Sequence, residues 1–325
     1  MEIPYPLEPS LSGQSKGFAT RSKLGRSKLV RETTGVTTFK PTPQVQRLAA
    51  GLYFIATPIG AARDITLRAL DILGSADVLA AEDTRTLRHL MEIHGVALGD
   101  RPLVAYHEHN NDVALPRLMR AISEGKSVAY ASEAGTPLIS DPGFQLGRAA
   151  IADGHLVLSA PGASAVLCAL TVSGLPSDRF LFAGFAPAAK AARETFLREL
   201  VPTQATLILY ESPKRVKGLL DDLVQSHGEG RYAVVCRELT KRFEEVSRGT
   251  LGELAAAFAE RDVKGEIVVL VDRAAEQAAD AATVEQALDR ALGHMTMKDA
   301  AAAVAQAYGL PRREVYQLAL KRAGD

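Results

Sequence analysis

The sequence has few of the features that mark secreted, metal-binding and membrane proteins. Its 325 residues include only two cysteines, Cys168 and Cys236, and both lie inside apolar runs, where a thiol acts as a small hydrophobe. A disulfide framework and a cysteine-based zinc site are therefore excluded. The N-terminus lacks the apolar core of a secretory signal, and no apolar run approaches the roughly 20 residues that a membrane-spanning helix needs. We expect a cytoplasmic protein without a membrane partner.

Net charge and the common nucleotide-binding motifs are also missing. The 38 Lys and Arg residues are matched by 38 Asp and Glu residues, so the chain is not a polycation that coats nucleic acid. Any contact with RNA must use a local basic face. No loop has the phosphate loop of P-loop enzymes or Gly-x-Gly-x-x-Gly spacing, which disfavours a nucleoside triphosphate or NAD. His107 and His109 lack a third ligand at matching spacing, and no metal site is expected.

Composition and periodicity divide the chain into four parts. Residues 1–48 are rich in Ser, Thr, Gly, Pro, Lys and Arg without an apolar period, which predicts a disordered basic tail. Residues 49–175 and 176–272 alternate short apolar runs with helical periods, a pattern typical of α/β domains. Residues 273–325 are interpreted as a linker rich in Ala, Glu and Gln, followed by a small tail of two helices separated at Gly309.

The two α/β domains differ in their expected sheets. In the first, apolar runs and helical periods alternate regularly, which predicts a mostly parallel sheet. In the second, the closely spaced runs 232–237 and 245–248 predict antiparallel neighbours, and hence a mixed sheet. The boundary between the domains should fall around Ser173 to Asp178.

Two of the predicted strand-to-helix loops carry Pro, Gly and acidic residues. In the first loop, Pro58 and Gly60 shape a turn at the carboxyl edge of the sheet, where open α/β folds bind ligands. In the second loop, Glu82 and Asp83 place two acids at the same edge. A turn of this kind is often purely structural, and Asp83 is equally suited to capping the next helix.

The third and fourth loops carry the stronger signal. Residues 132–143 combine Gly and Pro with small polar and acidic residues, and such a loop presents unpaired backbone groups suited to an amino-acid carboxylate and an adenosyl group. Residues 159–165 repeat this composition before a helix N-terminus, which offers N–H groups. These two loops give the following cofactor-binding candidates: Ser132, Glu133, Ala134, Gly135, Thr136, Pro137, Pro161, Gly162, Ala163 and Ser164.

Several strings resemble, in order and spacing, the ribosomal RNA small subunit methyltransferase I family. They include Tyr-Phe-Ile-Ala-Thr-Pro-Ile-Gly, Ala-Ala-Glu-Asp-Thr-Arg, Ala-Gly-Thr-Pro-Leu-Ile-Ser-Asp-Pro-Gly, Tyr-Glu-Ser-Pro-Lys-Arg and Arg-Glu-Leu-Thr-Lys. The resemblance covers residues 51–272, and residues 296–321 look like that family's C-terminal helical extension. The string Tyr-Glu-Ser-Pro-Lys-Arg adds Tyr210 and Glu211 to the cofactor-binding candidates.

The resemblance implies both a fold and an activity. The fold would be the two-domain α/β fold of the tetrapyrrole methylases. The activity would be 2′-O-methylation of a cytidine ribose in 16S rRNA of the 30S subunit, with S-adenosyl-L-methionine as cofactor, and by analogy the protein would be a homodimer. Two positions depart from the family pattern: Glu133 stands where Asp is usual, and Ala61 where Asn is usual.

Methyl transfer to a ribose hydroxyl requires a group that deals with the hydroxyl proton. We predict Glu82, Asp83, Glu238 and Lys241 for this work, because they sit where strands of both domains should end at the cleft. Lys241 would stabilise a developing alkoxide or a phosphate while a carboxylate accepts the proton. The alternative is that Glu238 and Lys241 form only a structural ion pair.

Basic residues near the cleft are expected to bind RNA phosphates. The predicted rim consists of Arg85, Arg88, Lys190, Arg193, Lys214, Arg215, Arg237, Lys241 and Arg242. Two other functions stay open at this point. One is a methylase for a corrin or porphyrin precursor, which would need neither the rim nor the helical tail. The other is a non-catalytic protein of the same fold, such as a ribosome assembly factor.

Overall fold

The computed structural model describes residues 43–274 and 281–323. The strands are β1 (Gly51–Ile55), β2 (Val78–Ala81), β3 (Leu103–Ala105), β4 (Ser127–Ala131), β5 (Val157–Ala160), β6 (Phe180–Phe185), β7 (Thr206–Glu211), β8 (Tyr232–Arg237), β9 (Glu245–Thr250) and β10 (Ile267–Val271). The helices are α1 (Leu67–Ser75), α2 (Thr84–Ile93), α3 (Asn111–Ser123), α4 (Phe144–Ala152), α5 (Ala165–Ser173), α6 (Lys190–Leu200), α7 (Val216–His227), α8 (Leu251–Ala259), α9 (Ala281–Leu292), α10 (Met297–Tyr308) and α11 (Arg312–Ala323).

The predicted disordered tail lies largely outside the described residues, which begin at residue 43. Residues 43–48 run along α1: the Gln44 backbone N–H donates a hydrogen bond to Asp71 Oδ1 at 2.7 Å. Leu48 packs partly buried against the core beneath α1. The tail prediction is therefore wrong for residues 43–48, because α1 supplies partners for their backbone and an apolar surface for Leu48.

The first sheet is parallel throughout, as predicted, with the strand order β3-β2-β4-β1-β5. Strands β1, β2 and β4 are buried along their full length, because helices cover both faces of a parallel sheet. Side chains of α1 and α2 cover one face, and side chains of α3 and α4 cover the other. Strand β5 is at one edge of the sheet. The carboxyl ends of all five strands consequently point to one side.

The second sheet is mixed, as predicted, with the strand order β6-β7-β10-β8-β9. Strands β6 and β7 are parallel, and the other pairs are antiparallel, including the predicted neighbours β8 and β9. Helices α6, α7 and α8 cover one face. Helix α5 covers the other face, with Val166, Ala169 and Leu170 in one core cluster with Ile208 and Val234. The predicted domain boundary after α5 stays a prediction, although α5 packs on the second sheet.

The C-terminal segment contains three helices around a small core of their own, which includes Val284, Leu288, Val304 and Val315. Thr296 caps α10, because its side chain accepts a hydrogen bond from the Asp299 N–H. Helix α9 lies in the segment interpreted as a linker, so that interpretation is wrong there. Its residues Val284 and Leu288 are four apart and share one buried face, which a composition rich in Ala and Glu hides. Among the described helices, none combines the length and apolarity needed to cross a membrane.

Candidate active site

Three loops at the carboxyl edge of the first sheet are joined by hydrogen bonds. The Thr57 N–H donates to the Gly135 carbonyl at 2.9 Å, and the Gly135 N–H donates back to Thr57 at 3.0 Å. The Thr136 hydroxyl donates to the Ala163 carbonyl at 2.9 Å, which ties the third loop to the fourth. Gly135 has φ +86°, a value that favours glycine, so its hydrogen bonds with Thr57 depend on glycine at this position. The first, third and fourth loops therefore converge, as the sequence predicts.

A cavity of about 390 Å³ lies between these loops and the second sheet. This volume is within the range of small-molecule sites, roughly 300–1,000 Å³. The first sheet contributes part of the third loop and the start of α5, and the second sheet contributes the end of β7 and the start of β10. Of the predicted cofactor-binding residues, the cavity wall includes Ala134, Gly135, Thr136, Ser164, Tyr210 and Glu211.

The remaining predicted cofactor-binding residues are not part of the cavity wall, and their roles stay predictions. Some of them shape the loops: the buried Ser132 hydroxyl donates to the Gly135 carbonyl at 2.8 Å. A Cβ on Gly162 would lie 2.9 Å from the Ala56 Cβ, so this position needs glycine for close packing. These residues are Pro58, Gly60, Ser132, Glu133, Pro137, Pro161, Gly162 and Ala163.

Backbone strain among the described residues is concentrated at this site. The non-glycine residues with positive φ are Leu138 at 75°, Ser140 at 62°, Glu238 at 53° and Thr240 at 64°. The first two lie in the third loop, and the other two lie in the loop between β8 and β9. Such conformations cost about 1–3 kcal/mol each and tend to be kept where function requires a fixed geometry. Asp141 follows Ser140, and Leu239 lies between Glu238 and Thr240. The strained residues therefore fix the positions of two residues that line the cavity.

Asp141 is the acidic residue that the sequence analysis missed. It lies in the cavity wall, and its Oδ2 atom is buried without a hydrogen-bond partner among the described residues. Burial, together with the nearby Glu82 and Glu133 carboxylates, raises the pKa of Asp141 to about 7. The sequence shows Asp141 in the Ser-Asp-Pro-Gly end of the third loop, but only the packed structure shows that it is partly buried near other acids.

Asp83 is held by its neighbour Arg85. Its side chain accepts the Arg85 backbone N–H at 2.8 Å as the N-cap of α2, so the capping interpretation is confirmed. The Arg85 guanidinium also binds the carboxylate at 2.8 Å. These hydrogen bonds lower the pKa of Asp83 to about 2. A carboxylate with so low a pKa is a weak proton acceptor at neutral pH, and its catalytic assignment stays a prediction.

Lys241 lies between two carboxylates. Its Nζ atom is 3.0 Å from Glu238 Oε1 and 3.0 Å from Glu266 Oε2. Burial lowers the pKa of Lys241, but its hydrogen bonds with Glu238 and Glu266 raise the pKa by more. The pKa is therefore above its ordinary value. Burial raises the pKa of Glu238, and its hydrogen bonds with the Glu266 N–H and Lys241 outweigh that effect. The structural ion pair is thus present, while the catalytic roles of Glu238 and Lys241 stay predictions.

The predicted basic rim is wrong at Arg193, which is buried and bonded to Asp222 at 2.6 Å. Arg215 and Arg237 are also engaged, with Glu211 and Glu245 respectively. Sequence position placed these cations near the cleft, but the fold uses them to neutralise buried or half-buried acids. The rim residues that are exposed are Arg85, Arg88, Lys190, Lys214 and Arg242.

Two family models match the sequence. The model described as Tetrapyrrole (Corrin/Porphyrin) Methylases matches residues 51–255, which include the first sheet and strands β6 to β9 of the second. The model described as the RsmI C-terminal HTH domain matches residues 278–323, the segment that holds α9, α10 and α11. The chain is also similar in fold to solved structures of cobalt precorrin-4 methyltransferase (TM-score 0.52, 18% identical, 68% of this chain and 94% of that chain) and diphthine synthase (TM-score 0.51, 17% identical, 68% and 89%).

Curated relatives cover most of the chain. A ribosomal RNA small subunit methyltransferase I from Mesorhizobium japonicum is 46% identical over 84% of this chain and 92% of its own length. The protein of the same name from Escherichia coli is 39% identical over 84% of this chain and 96% of its own length. These matches confirm the resemblance found in the sequence and support methyl-transfer chemistry with S-adenosylmethionine. The chain belongs to the tetrapyrrole methylase family and, within it, to the ribosomal RNA small subunit methyltransferase I family.

Proposed function

We propose that the protein transfers a methyl group from S-adenosylmethionine to the ribose 2′-hydroxyl of a cytidine in 16S rRNA. The observation that carries this proposal is the cavity between the joined loops and the second sheet, in a chain whose relatives are named as small-subunit rRNA methyltransferases. The 2′-oxygen and the cytidine come from the family resemblance of the sequence motifs. The reaction compartment would be the cytoplasm.

The cavity residues fit this cofactor. Ile59, Phe185 and Leu239 form apolar walls that suit an adenosyl group. The carboxyl groups of Asp141 and Glu266 lie in the cavity wall, and an ionised carboxyl group there suits a positively charged methyl donor. When bound, the cofactor supplies an electrophilic methyl group on a sulfonium.

The task of the protein is then mainly to align the reacting atoms and keep water out. Three joined loops and strained turns hold the wall in one geometry, which reduces the entropy lost on reaching the transition state. Leu239 and Gly265 are wall residues of the second sheet, while Gly135 and Ser164 are wall residues from the first-sheet loops. Movement of either set would widen the cavity, so transfer depends on both sheets.

The RNA would approach over the exposed side of the loop between β8 and β9. Arg242 and Phe243 are exposed there, three and four residues beyond the wall residue Leu239. An exposed Arg beside an exposed aromatic ring suits unpaired RNA, since the ring stacks on bases and the guanidinium binds phosphate. Single-stranded regions of rRNA offer both groups.

A direct test is methyl transfer by the purified protein to 30S subunits and to naked 16S rRNA, using isotopically labelled S-adenosylmethionine. We expect incorporation at one cytidine, mapped by mass spectrometry as a ribose modification. Label on a base would reject the 2′-oxygen. Binding of S-adenosylmethionine without transfer to either RNA, or transfer to a porphyrin precursor instead, would reject the function.

We also propose a homodimer. The edge strands β5 and β6 carry exposed apolar side chains, among them Leu158, Phe180 and Leu181. Exposed edges with large apolar residues favour pairing or covering by another chain. Light scattering coupled to size exclusion should give twice the 34.7 kDa chain mass, and a mass that stays at one chain over the micromolar range would reject this.

A further inference from the structure

We infer that Asp141 accepts the proton of the ribose hydroxyl, and that it gains its negative charge when the cationic methyl donor occupies the cavity. This inference rests on the proposed function, because it assigns the base for that reaction. None of the predicted catalytic residues, Glu82, Asp83, Glu238 and Lys241, lines the cavity. The predicted cofactor-binding residue Glu211 lines it and is buried, but its carboxylate is paired with Arg215.

The geometry around Asp141 is fixed from both sides. On its N-terminal side, Ser140 has φ 62°, and Leu138 has φ 75°. On its C-terminal side, Gly143 has φ +121°, and a Cβ there would lie 3.1 Å from Tyr130 Cε1 and 3.2 Å from Phe54 Cε1. The loop is thus pinned against two buried rings of the first sheet. The Asp141 carboxyl group consequently has a defined position in the cavity wall.

The groups that face Asp141 are acids or phenols. Glu82 follows β2, Glu133 lies on the same loop, Tyr130 is on β4, and Tyr210 is on β7. Tyr130 is fully buried, and its hydroxyl has no hydrogen-bond partner among the described residues. Across the cavity, Glu266 is already paired with Lys241. No described cation therefore compensates a charge on Asp141.

These surroundings keep about half of the Asp141 carboxyl groups protonated in the empty site at pH 7. Burial and the nearby Glu82 and Glu133 raise the pKa of Asp141 to about 7. A positive charge in the cavity acts in the opposite direction, because an opposite charge within about 4–6 Å favours the ionised form of a carboxyl group. The cavity would therefore contain an ion pair when the donor is bound.

The reaction then conserves the total charge of the cavity. The ribose O–H bond breaks and its proton goes to a carboxylate oxygen of Asp141, while the oxygen electron pair forms the bond to the methyl carbon. The carbon–sulfur bond breaks, and its electrons stay on sulfur. One positive and one negative charge become two neutral groups, which a buried site favours. After the transfer Asp141 is protonated and neutral. Its surroundings favour that form, because they contain acids and no described cation that pairs with it.

The first test measures proton release on binding and needs no RNA. Calorimetric titrations at pH 7 in two buffers of different ionisation enthalpy compare S-adenosylmethionine with the uncharged thioether S-adenosylhomocysteine. Wild-type protein should release about half a proton more with the sulfonium than with the thioether, as expected for a group with a pKa near the working pH. Asp141→Asn should abolish the difference. Asp153→Asn, which alters an exposed residue at the end of α4, should keep it.

The second test measures single-turnover methylation of 30S subunits against pH. Asp141→Asn should slow transfer about 10²- to 10⁴-fold and remove the rise in rate with pH, which the bound donor places below pH 7 in the wild type, with affinity for the thioether within about threefold of wild type. An unchanged rate, or an unchanged pH profile, overturns the inference. Lost affinity for both ligands also overturns it and makes Asp141 a binding residue.

The two tests separate this inference from the function on which it rests. If the wild-type protein shows the proton release but methylates no small-subunit RNA, the proposed function fails and Asp141 is not its base. If the protein methylates RNA and Asp141→Asn shows no loss, the function stands and the inference alone fails.

Discussion

The Thr240 hydroxyl oxygen accepts a hydrogen bond from the Ala61 backbone N–H, with 3.2 Å between the nitrogen and the oxygen. This bond joins the first loop of the first sheet to the β8–β9 loop of the second sheet. Ala61 departs from the Asn expected at this position from the family resemblance. Because the backbone and not the side chain makes the contact, the departure leaves the link between the loops intact.

Gly60→Ala should disturb this link. An added Cβ would lie 2.5 Å from Lys241 Cγ and 2.6 Å from Thr240 Oγ1, so one loop must shift. We expect a loss of about 1–3 kcal/mol in the free energy of unfolding, as is typical of overpacking, and weaker binding of S-adenosylhomocysteine. Urea unfolding and calorimetry measure the two effects. Gly230→Ala is the matched control, since its Cβ would meet nothing within 4 Å. Equal behaviour of the two variants would contradict the contact.

Asp141→Asn should change how stability depends on pH. The pKa of Asp141 is about 7 in the folded protein, against an ordinary value of 3.8, so the folded chain holds a proton that the unfolded chain releases between these values. The stabilisation from this group is complete below pH 4 and is lost as the pH rises through 7. The variant should therefore melt above wild type at pH 8, and the gap should close toward pH 4. Thermal scans across this range test it, and a constant gap would refute the shifted pKa.

Asp222→Asn should be strongly destabilising. Asp222 and Arg193 are both buried and 2.6 Å apart, and removal of one charge leaves the other buried without its partner. Such changes cost about 3–5 kcal/mol. Glu194→Gln is the control, because its pair with Lys190 is exposed and 3.8 Å long, and exposed pairs contribute about 0–1 kcal/mol. Chemical denaturation of both variants compares them, and similar midpoints would count against the buried pair.

Arg242→Ala combined with Phe243→Ala should weaken RNA binding while leaving cofactor binding unchanged. Both side chains are exposed, and neither lines the cavity. Loss of stacking would reduce affinity by about 1–3 kcal/mol, and loss of the guanidinium would make binding less sensitive to salt. Filter binding to 16S rRNA at several salt concentrations provides the measurement. Lys126→Ala, which lies just before β4 at the opposite edge of the first sheet, should behave as wild type.

Much of the fold could be predicted because its signals are local. The apolar runs of β1, β2 and β4 are buried along their length, and the close spacing of β8 and β9 allowed only an antiparallel pairing. Helix α9 was not predicted, because Val284 and Leu288 are isolated large apolar residues in a segment of mostly Ala and polar residues. Their importance appears only where they pack against α10 and α11.

Part of the site could also be predicted, because loop composition is a local signal in the sequence. Gly135 and Thr136 stand out in the sequence as parts of a loop that exposes backbone groups, and both line the cavity. Arg193 looked like a phosphate ligand, because a sequence gives the charge of a residue but not its burial. Asp141 was overlooked because an Asp in a Gly- and Pro-rich loop is ordinarily solvated, and nothing local indicates otherwise.

The sequence by itself determined the two α/β domains, the converging loops and the family, because apolar periodicity and loop composition are signals carried by a few neighbouring residues. Only the tertiary structure decided which ionisable groups lie close together and which of them are buried. Glu82 follows β2, whereas Glu133 and Asp141 lie at the two ends of the third loop, and the pKa of Asp141 reflects both its burial and these two nearby acids. Desolvation and the interaction between charges depend on distances in space, and these exist only after the chain has folded.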